Sequence, residues 1–160
     1  MSKIYVMTKF DDLYHDIAER VARLSRAQRL QVGAVIVKDH RILSYGYNGT
    51  PPGFDNACEF EIPEEVDLVS RTITPARLVT KPMVIHAEMN AIAKVARSHD
   101  SCLGASLYIT HAPCIECSKA ILQAGISAVH YGTEYRSAEG ILLLTSAGVT
   151  CIKKPYESTT

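Results

Sequence analysis

Apolar positions first recur at helical spacing. Leu13, Ile17, Val21 and Leu24 fall three or four apart, which predicts an amphipathic helix over 11–30 with Asp11 or Asp12 as its cap. The period then changes. "VGAVIV", residues 32–37, is a short apolar run rich in β-branched residues, the pattern of a buried strand. A polar "KDHR" turn and the returning "ILSYGY" make it one arm of a hairpin. Residues 48–84 follow neither period. "NGTPPGFDNACEFEIPEE" clusters Gly, Pro, Asn and Asp, so a long loop is expected over 49–84. From residue 85 helix and strand alternate. A helix over 86–97 has Met89, Ile92, Ala93 and Ala96 inward, and "ASLYIT" follows as a strand. A helix over 114–124 stops at Gly125, "SAVHY" is a strand, a helix over 137–147 stops at Gly148, and "VTCIK" closes the pattern. The expected class is α/β: one mixed sheet of about five strands, its later strands parallel, with helices on both faces. One domain is expected over 1–160, with its core at about 10–153.

Composition narrows the partners more than the fold. Seventeen basic side chains balance seventeen acidic ones, so no net field draws the chain to nucleic acid or an anionic membrane. "MSKIYVMTKFDDLYHDIAERVARL" has no apolar signal region, and no run approaches the roughly 18 apolar residues of a membrane span. A cytoplasmic protein is expected. Five cysteines, an odd number without an export signal, argue against a disulfide framework.

Two of those cysteines are placed for other chemistry. Cys114 and Cys117 share a helical face behind Pro113, and the positive end of a helix favours thiolates. His86 opens the preceding helix. Two thiolates and an imidazole suit Zn²⁺ and leave a fourth position open, the mark of a catalytic site. Glu88, two residues on, can lean from the first turn onto the same site and move protons there. A structural zinc site needs a second ligand pair, and the sequence offers no second C-x-x-C or H-x₃-H. Cys58, Cys102 and Cys151 read as plain buried or loop cysteines. His111, close in sequence, is a candidate to line the site.

His86-x-Glu88 followed by Pro113-Cys114-x-x-Cys117 matches the signature of zinc-dependent nucleobase deaminases. "VGAVIVKDHRILSYGYNGTPPG" and "YGTEYRSAEGILLLTSAGV" narrow the likeness. Together they resemble the deoxycytidylate (dCMP) deaminases over most of residues 10–153. The matched turn holds Tyr47, Asn48, Gly49, Pro51 and Gly53.

The resemblance implies a cytidine-deaminase-like three-layer α/β/α sandwich. It implies hydrolysis of dCMP to dUMP and ammonia for dTMP synthesis. It also implies a homohexamer, activated by dCTP with Mg²⁺ and inhibited by dTTP. Carried onto this chain, it makes His86, Cys114 and Cys117 the zinc ligands and Glu88 the catalytic acid/base. Asn48 would meet the sugar hydroxyl, the Ala87 backbone the pyrimidine, and Tyr135 a wall of the site. Arg26, Arg29 and Arg136 are candidates for the 5′-phosphate, and Gly49, in its glycine- and proline-rich turn, for effector phosphates. Some phage relatives hold a second, structural zinc. Here Ala27 and an insertion without histidine point to one zinc per chain. The rival readings are a tRNA adenosine deaminase, a free cytidine deaminase, and a non-enzymatic zinc module.

Overall fold

The computed structural model describes residues 5–155; the outermost parts of the expected 1–160 range, and of the stretch read for a signal region, lie outside them. Helix α1 runs Lys9–Ala22 and is capped by Thr8, not by Asp11 or Asp12. The Asp11 N–H donates to Thr8 Oγ1 at 3.3 Å, and the Thr8 N–H donates back to Asp11 Oδ2 at 2.8 Å, a capping box with aspartate in the third position. The helix stops short of residue 30 because the following segment bonds elsewhere. Ser25 Oγ donates to Asn48 O and Gln31 Nε2 to Ser25 O, each at 2.6 Å. Its buried face is Tyr14, Ala18, Val21 and Ala22, whereas Leu13 and Leu24 stay 48% and 47% exposed. Gly33 explains the rotation. A Cβ there would collide with the backbone of Ala18 and Ala22, so the small-residue face of α1 is the one that meets the sheet.

Strands β1 (Gly33–Lys38) and β2 (Arg41–Tyr47) form the expected antiparallel hairpin. Its two-residue loop, Asp39–His40, takes φ of 51° and 58°, the left-handed pair of a type I′ turn. The segment expected as a loop over 49–84 is partly structured instead. Strands β3 (Glu59–Ile62) and β6 (Arg77–Thr80) pair and enclose a second pair, β4 (Glu65–Asp67) with β5 (Thr72–Thr74). These strands are three or four residues long and largely exposed, so they carry no one-sided alternation to read.

The remaining elements come in the expected order: α2 (Ala87–Ala96), β7 (Ser106–His111), α3 (Ile115–Gln123), β8 (Ala128–Thr133), α4 (Glu139–Ser146) and β9 (Thr150–Lys153). The main sheet has the order β2-β1-β7-β8-β9, with β7, β8 and β9 parallel and β1 antiparallel to β2 and β7. Strand alternation makes it the middle of three layers. Ala34 and Ile36 face the core shared with α2, α3 and α4, while Val35 and Val37 face α1. The inward face of α2 is Ala87, Glu88, Ala91 and Val95; Met89, Ala93 and Ala96 are exposed. An alanine-rich helix offers two apolar faces. Gly46 selects between them, since a Cβ there would strike the backbone of Ala87 and Ala91.

Under α1 lies a buried polar group of unusual density. Tyr108 OH donates to Asp11 Oδ1 at 2.6 Å and Tyr5 OH to Asp11 Oδ2 at 2.9 Å. His130 stacks on Tyr108 at 4.3 Å, and His15 meets Tyr108 edge-on at 5.4 Å. Burial, then the positive charge of Lys154, lowers the His15 pKa to about 4, and burial lowers that of His130. Both stay neutral in the fold but gain a proton when unfolded at mildly acid pH. Stability should therefore be full above about pH 6.5 and fall as pH drops toward 4, by roughly 3 kcal/mol for His15 alone. Melting curves of the wild type and His15→Gln across that window check this. The variant should show the shallower slope, and equal slopes contradict the assignment.

Candidate active site

One end of the sheet gathers the chemistry. The carboxyl ends of β2, β7 and β8 and the amino end of β1 open onto a cleft of about 530 Å³. Asn48, His111, Ala112, Glu134, Tyr135 and Arg136 reach it from these strand ends. Two helices begin there. His86 is the N-cap residue of α2 and Cys114 that of α3, neither capped by a side chain. Their positive ends face the same point and favour anionic groups on it. Gly140 lets α4 brace the second of these starts, since a Cβ there would meet the backbone of Pro113 and Cys114 and the Ser118 hydroxyl.

His86 Nδ1 lies 3.5 Å from Cys114 Sγ and 3.3 Å from Cys117 Sγ. The three ligand atoms sit within 4.8 Å of one another, the one such group among the described residues. Tetrahedral zinc with Zn–S of about 2.3 Å and Zn–N of about 2.0–2.1 Å requires N···S edges of about 3.5 Å. The donor set and its spacing fit Zn²⁺. The two thiols are strongly coupled. Cys114 is lowered to about 3 by hydrogen bonding to Cys117 and then to His86, while Cys117 is pushed far up by the Cys114 thiolate and by burial. Zinc bound there would hold both sulfurs as thiolates.

Glu88 stands beside this triad, 4% exposed, with its pKa raised to about 7 by burial and moderated by His86. A carboxyl so placed can hold or release a proton near neutral pH. It lines the cleft with His86, Ala87 and Cys114.

The other expected residues divide. Tyr135, Arg29 and Arg136 line the cleft; Arg26 is exposed and does not. Asn48 lines it while bracing its wall. Its Oδ1 accepts from the Val32 N–H and its Nδ2 donates to Leu30 O, both at 2.8 Å. Each of those atoms keeps one free hydrogen-bonding position for a ligand. Gly49 is not free for phosphate. Its N–H donates to Ile85 O at 3.1 Å and its carbonyl accepts from the Ile85 N–H at 2.8 Å. Glu59, Thr80 and Cys58 also line the cleft. Glu59 and Thr80 were not legible as site residues, because they sit in the segment that has no readable period.

Residues 8–133 match the cytidine and deoxycytidylate deaminase zinc-binding region. The chain belongs to that deaminase family. Among related deaminases, the deoxycytidylate deaminase of Mycobacterium phage D29 is 37% identical over 127 residues, covering 78% of this chain and 95% of the relative. ComE operon protein 2 of Bacillus subtilis (strain 168) is 38% identical over 131 residues, 81% of this chain; the chain spans 63% of that relative's length. A solved dCMP deaminase of the cyanophage S-TIM5, in complex with dCMP and dUMP, superposes with a TM-score of 0.78 at 38% identity, over 94% of this chain and all of that one. The cytidine-deaminase-like architecture is thereby established for the chain.

Proposed function

We propose that this protein is a dCMP deaminase: dCMP and water give dUMP and ammonia. One observation carries the reading, the buried Glu88 carboxyl beside a His/Cys/Cys group at the floor of an open cleft. Relatives that act on dCMP support the choice of substrate. His86, Cys114 and Cys117 would hold zinc, which would supply a Lewis acid that lowers the pKa of water at the site. Glu88 accepts the proton released from water and delivers it to N3 of cytosine. After attack at C4, Glu88 takes the proton of the new C4 hydroxyl and passes it to the 4-amino group; the C4–N bond breaks, ammonia leaves and the C4 carbonyl of dUMP forms. The Ala87 backbone meets the pyrimidine, Asn48 the sugar hydroxyl through its remaining amide capacity, and Tyr135 walls the site. The product feeds dTMP synthesis.

Ammonia release from dCMP, dCTP, deoxycytidine and a tRNA anticodon arm tests the substrate. Conversion of dCMP far ahead of the others is expected, and preference for the tRNA arm contradicts it.

The cleft holds one zinc per chain. Cys58 is buried and free, and no histidine occurs in the insertion to join it. Metal analysis should return one equivalent, unchanged in Cys58→Ser; two equivalents, with Cys58→Ser removing one, contradict it.

The family resemblance supports regulation by dCTP–Mg²⁺ as activator and dTTP as inhibitor. The site is formed by the 46–53 turn, without the Gly49 amide, and the insertion. Steady-state kinetics at rising dCMP should show dCTP–Mg²⁺ lowering the half-saturating dCMP concentration and dTTP raising it. A tenfold change corresponds to about 1.4 kcal/mol of coupling. A curve indifferent to dCTP, with dTTP purely competitive, contradicts this. A homohexamer is proposed on the same resemblance, and the exposed Val66, Leu68, Val69 and Ile73 of the insertion are apolar surface that assembly can cover. A single-domain, cytoplasmic enzyme is part of the same proposal; no described helix is long and apolar enough to cross a membrane.

A further inference from the structure

The apolar period that first marks the chain as helical is not spent in its core. Gly33 draws the Ala18 and Ala22 face of α1 to the sheet. Phe10, Leu13 and Ile17, three and four apart, then run along the helix flank, and Leu24 follows in the closing turn. This flank overhangs β2, since Phe10 meets His40 of the β1–β2 turn at 5.1 Å between ring centres. Val35 and Val37 face α1, and their cross-strand partners Tyr45 and Ile42 share that face of the hairpin. Phe10, Leu13, Leu24, Ile42 and Tyr45 are each 41–48% exposed. Five large apolar side chains thus line one side of the molecule, in a layer where α1 is the only described helix.

This surface takes a helix, not a strand. Asn90 Nδ2 and Lys94 Nζ reach round from α2 and donate to Tyr47 O at 2.9 Å and Tyr45 O at 2.8 Å. The Lys94 ammonium also lies 4.2 Å from the centre of the Tyr45 ring. These contacts close the edge of β2 to a further strand. What stays open is the angle between the α1 flank and the β2 face. The charges beside it select the helix that fits. Asp16 and Arg20 stand along the solvent side of the stripe, both exposed, and neither belongs to an ion pair among the described residues. A second copy of α1 laid antiparallel, with a twofold axis near Ile17, sets Asp16 of each copy beside Arg20 of the other. A parallel copy would set like charges together. The antiparallel crossing also brings Ile17 onto Ile17, and Phe10 onto Leu24 of the second copy, as a self-complementary surface requires.

We propose that the α1 flank and the β2 face form a twofold contact between two copies of this chain, with their α1 helices antiparallel. The contact is separate from the apolar hairpin of the insertion and independent of the reaction proposed above. It gives assembly a face, a direction and a register.

The test uses the zinc-loaded full chain. With oxidised glutathione as the added oxidant, Ile17→Cys should give a band of doubled mass on a non-reducing gel, lost on reduction and absent from wild type. Glu19→Cys, on the far side of the helix, should give none. The cross-link reads the contact whatever the total number of copies. Leu13→Asp should halve the mass seen by light scattering. Asp16→Arg should weaken association by about tenfold at low salt, and adding Arg20→Asp should restore it. Both charge changes are on the surface, so they decide the matter if Leu13→Asp fails to fold. A monomeric wild type, no cross-link in Ile17→Cys, equal cross-linking in Glu19→Cys, a folded Leu13→Asp of unchanged mass, or single and double charge variants that associate alike overturns the proposal. A cross-link in protein that leaves dCMP unchanged keeps the contact and removes only the reaction; conversion of dCMP without the cross-link does the reverse.

Discussion

Replacing Glu88 by glutamine should leave the fold and the zinc content unchanged and lower dCMP turnover by roughly three orders of magnitude or more. Glutamine fills the space of the buried carboxyl but cannot carry a proton between water, N3 and the leaving amino group. Glu88 is inward on α2, where its neighbours Ala87 and Ala91 are fully buried, so an isosteric change disturbs little packing. Zinc per chain and turnover have to be measured on the same sample. Loss of both together would make Glu88 a ligand and remove its role as proton carrier.

Replacing Cys117 by alanine should have the largest effect. Its thiol is 2% exposed and 3.3 Å from His86 Nδ1, one of three ligand atoms grouped within 4.8 Å of one another. Even outer-shell changes around bound metals cost about 10–100-fold in affinity, and removing a ligand should exceed that. The variant should lose zinc and all measurable deamination. A ligand that binds only the folded state raises its stability by mass action. A chelator should therefore lower the melting temperature of the wild type and leave that of Cys117→Ala unmoved. Retention of one zinc by the variant contradicts the ligand assignment.

The metal group was legible in sequence because its parts are local. Cys114 and Cys117 are spaced by one helical turn, and His86 and Glu88 share the first turn of another helix. Only their convergence needed the fold, and the alternation after residue 85 implied parallel strands ending on one side. The sheet hairpin was legible too, since "VGAVIV" is apolar on both faces and a polar turn follows. Helix faces were less so. In α1 and α2 the deciding contacts are made by Gly33 and Gly46, on strands distant in sequence, which draw alanine faces inward and leave Leu13 and Met89 outside. The 49–84 segment hid its strands because they are short and solvated. It therefore hid Glu59 and Thr80, whose place at the cleft depends on pairing across the insertion. Gly49 looked like a phosphate cradle from composition alone; a bridge to Ile85 takes its amide.

The most direct measurement is conversion of dCMP by protein carrying one zinc per chain, followed to completion by dUMP formation and ammonia release on the same sample. Equal amounts of dUMP and ammonia are expected from wild type, and almost none from Glu88→Gln at the same zinc content. A wild type that holds zinc and leaves dCMP unchanged, or a Glu88→Gln that converts it at the wild-type rate, would contradict that expectation.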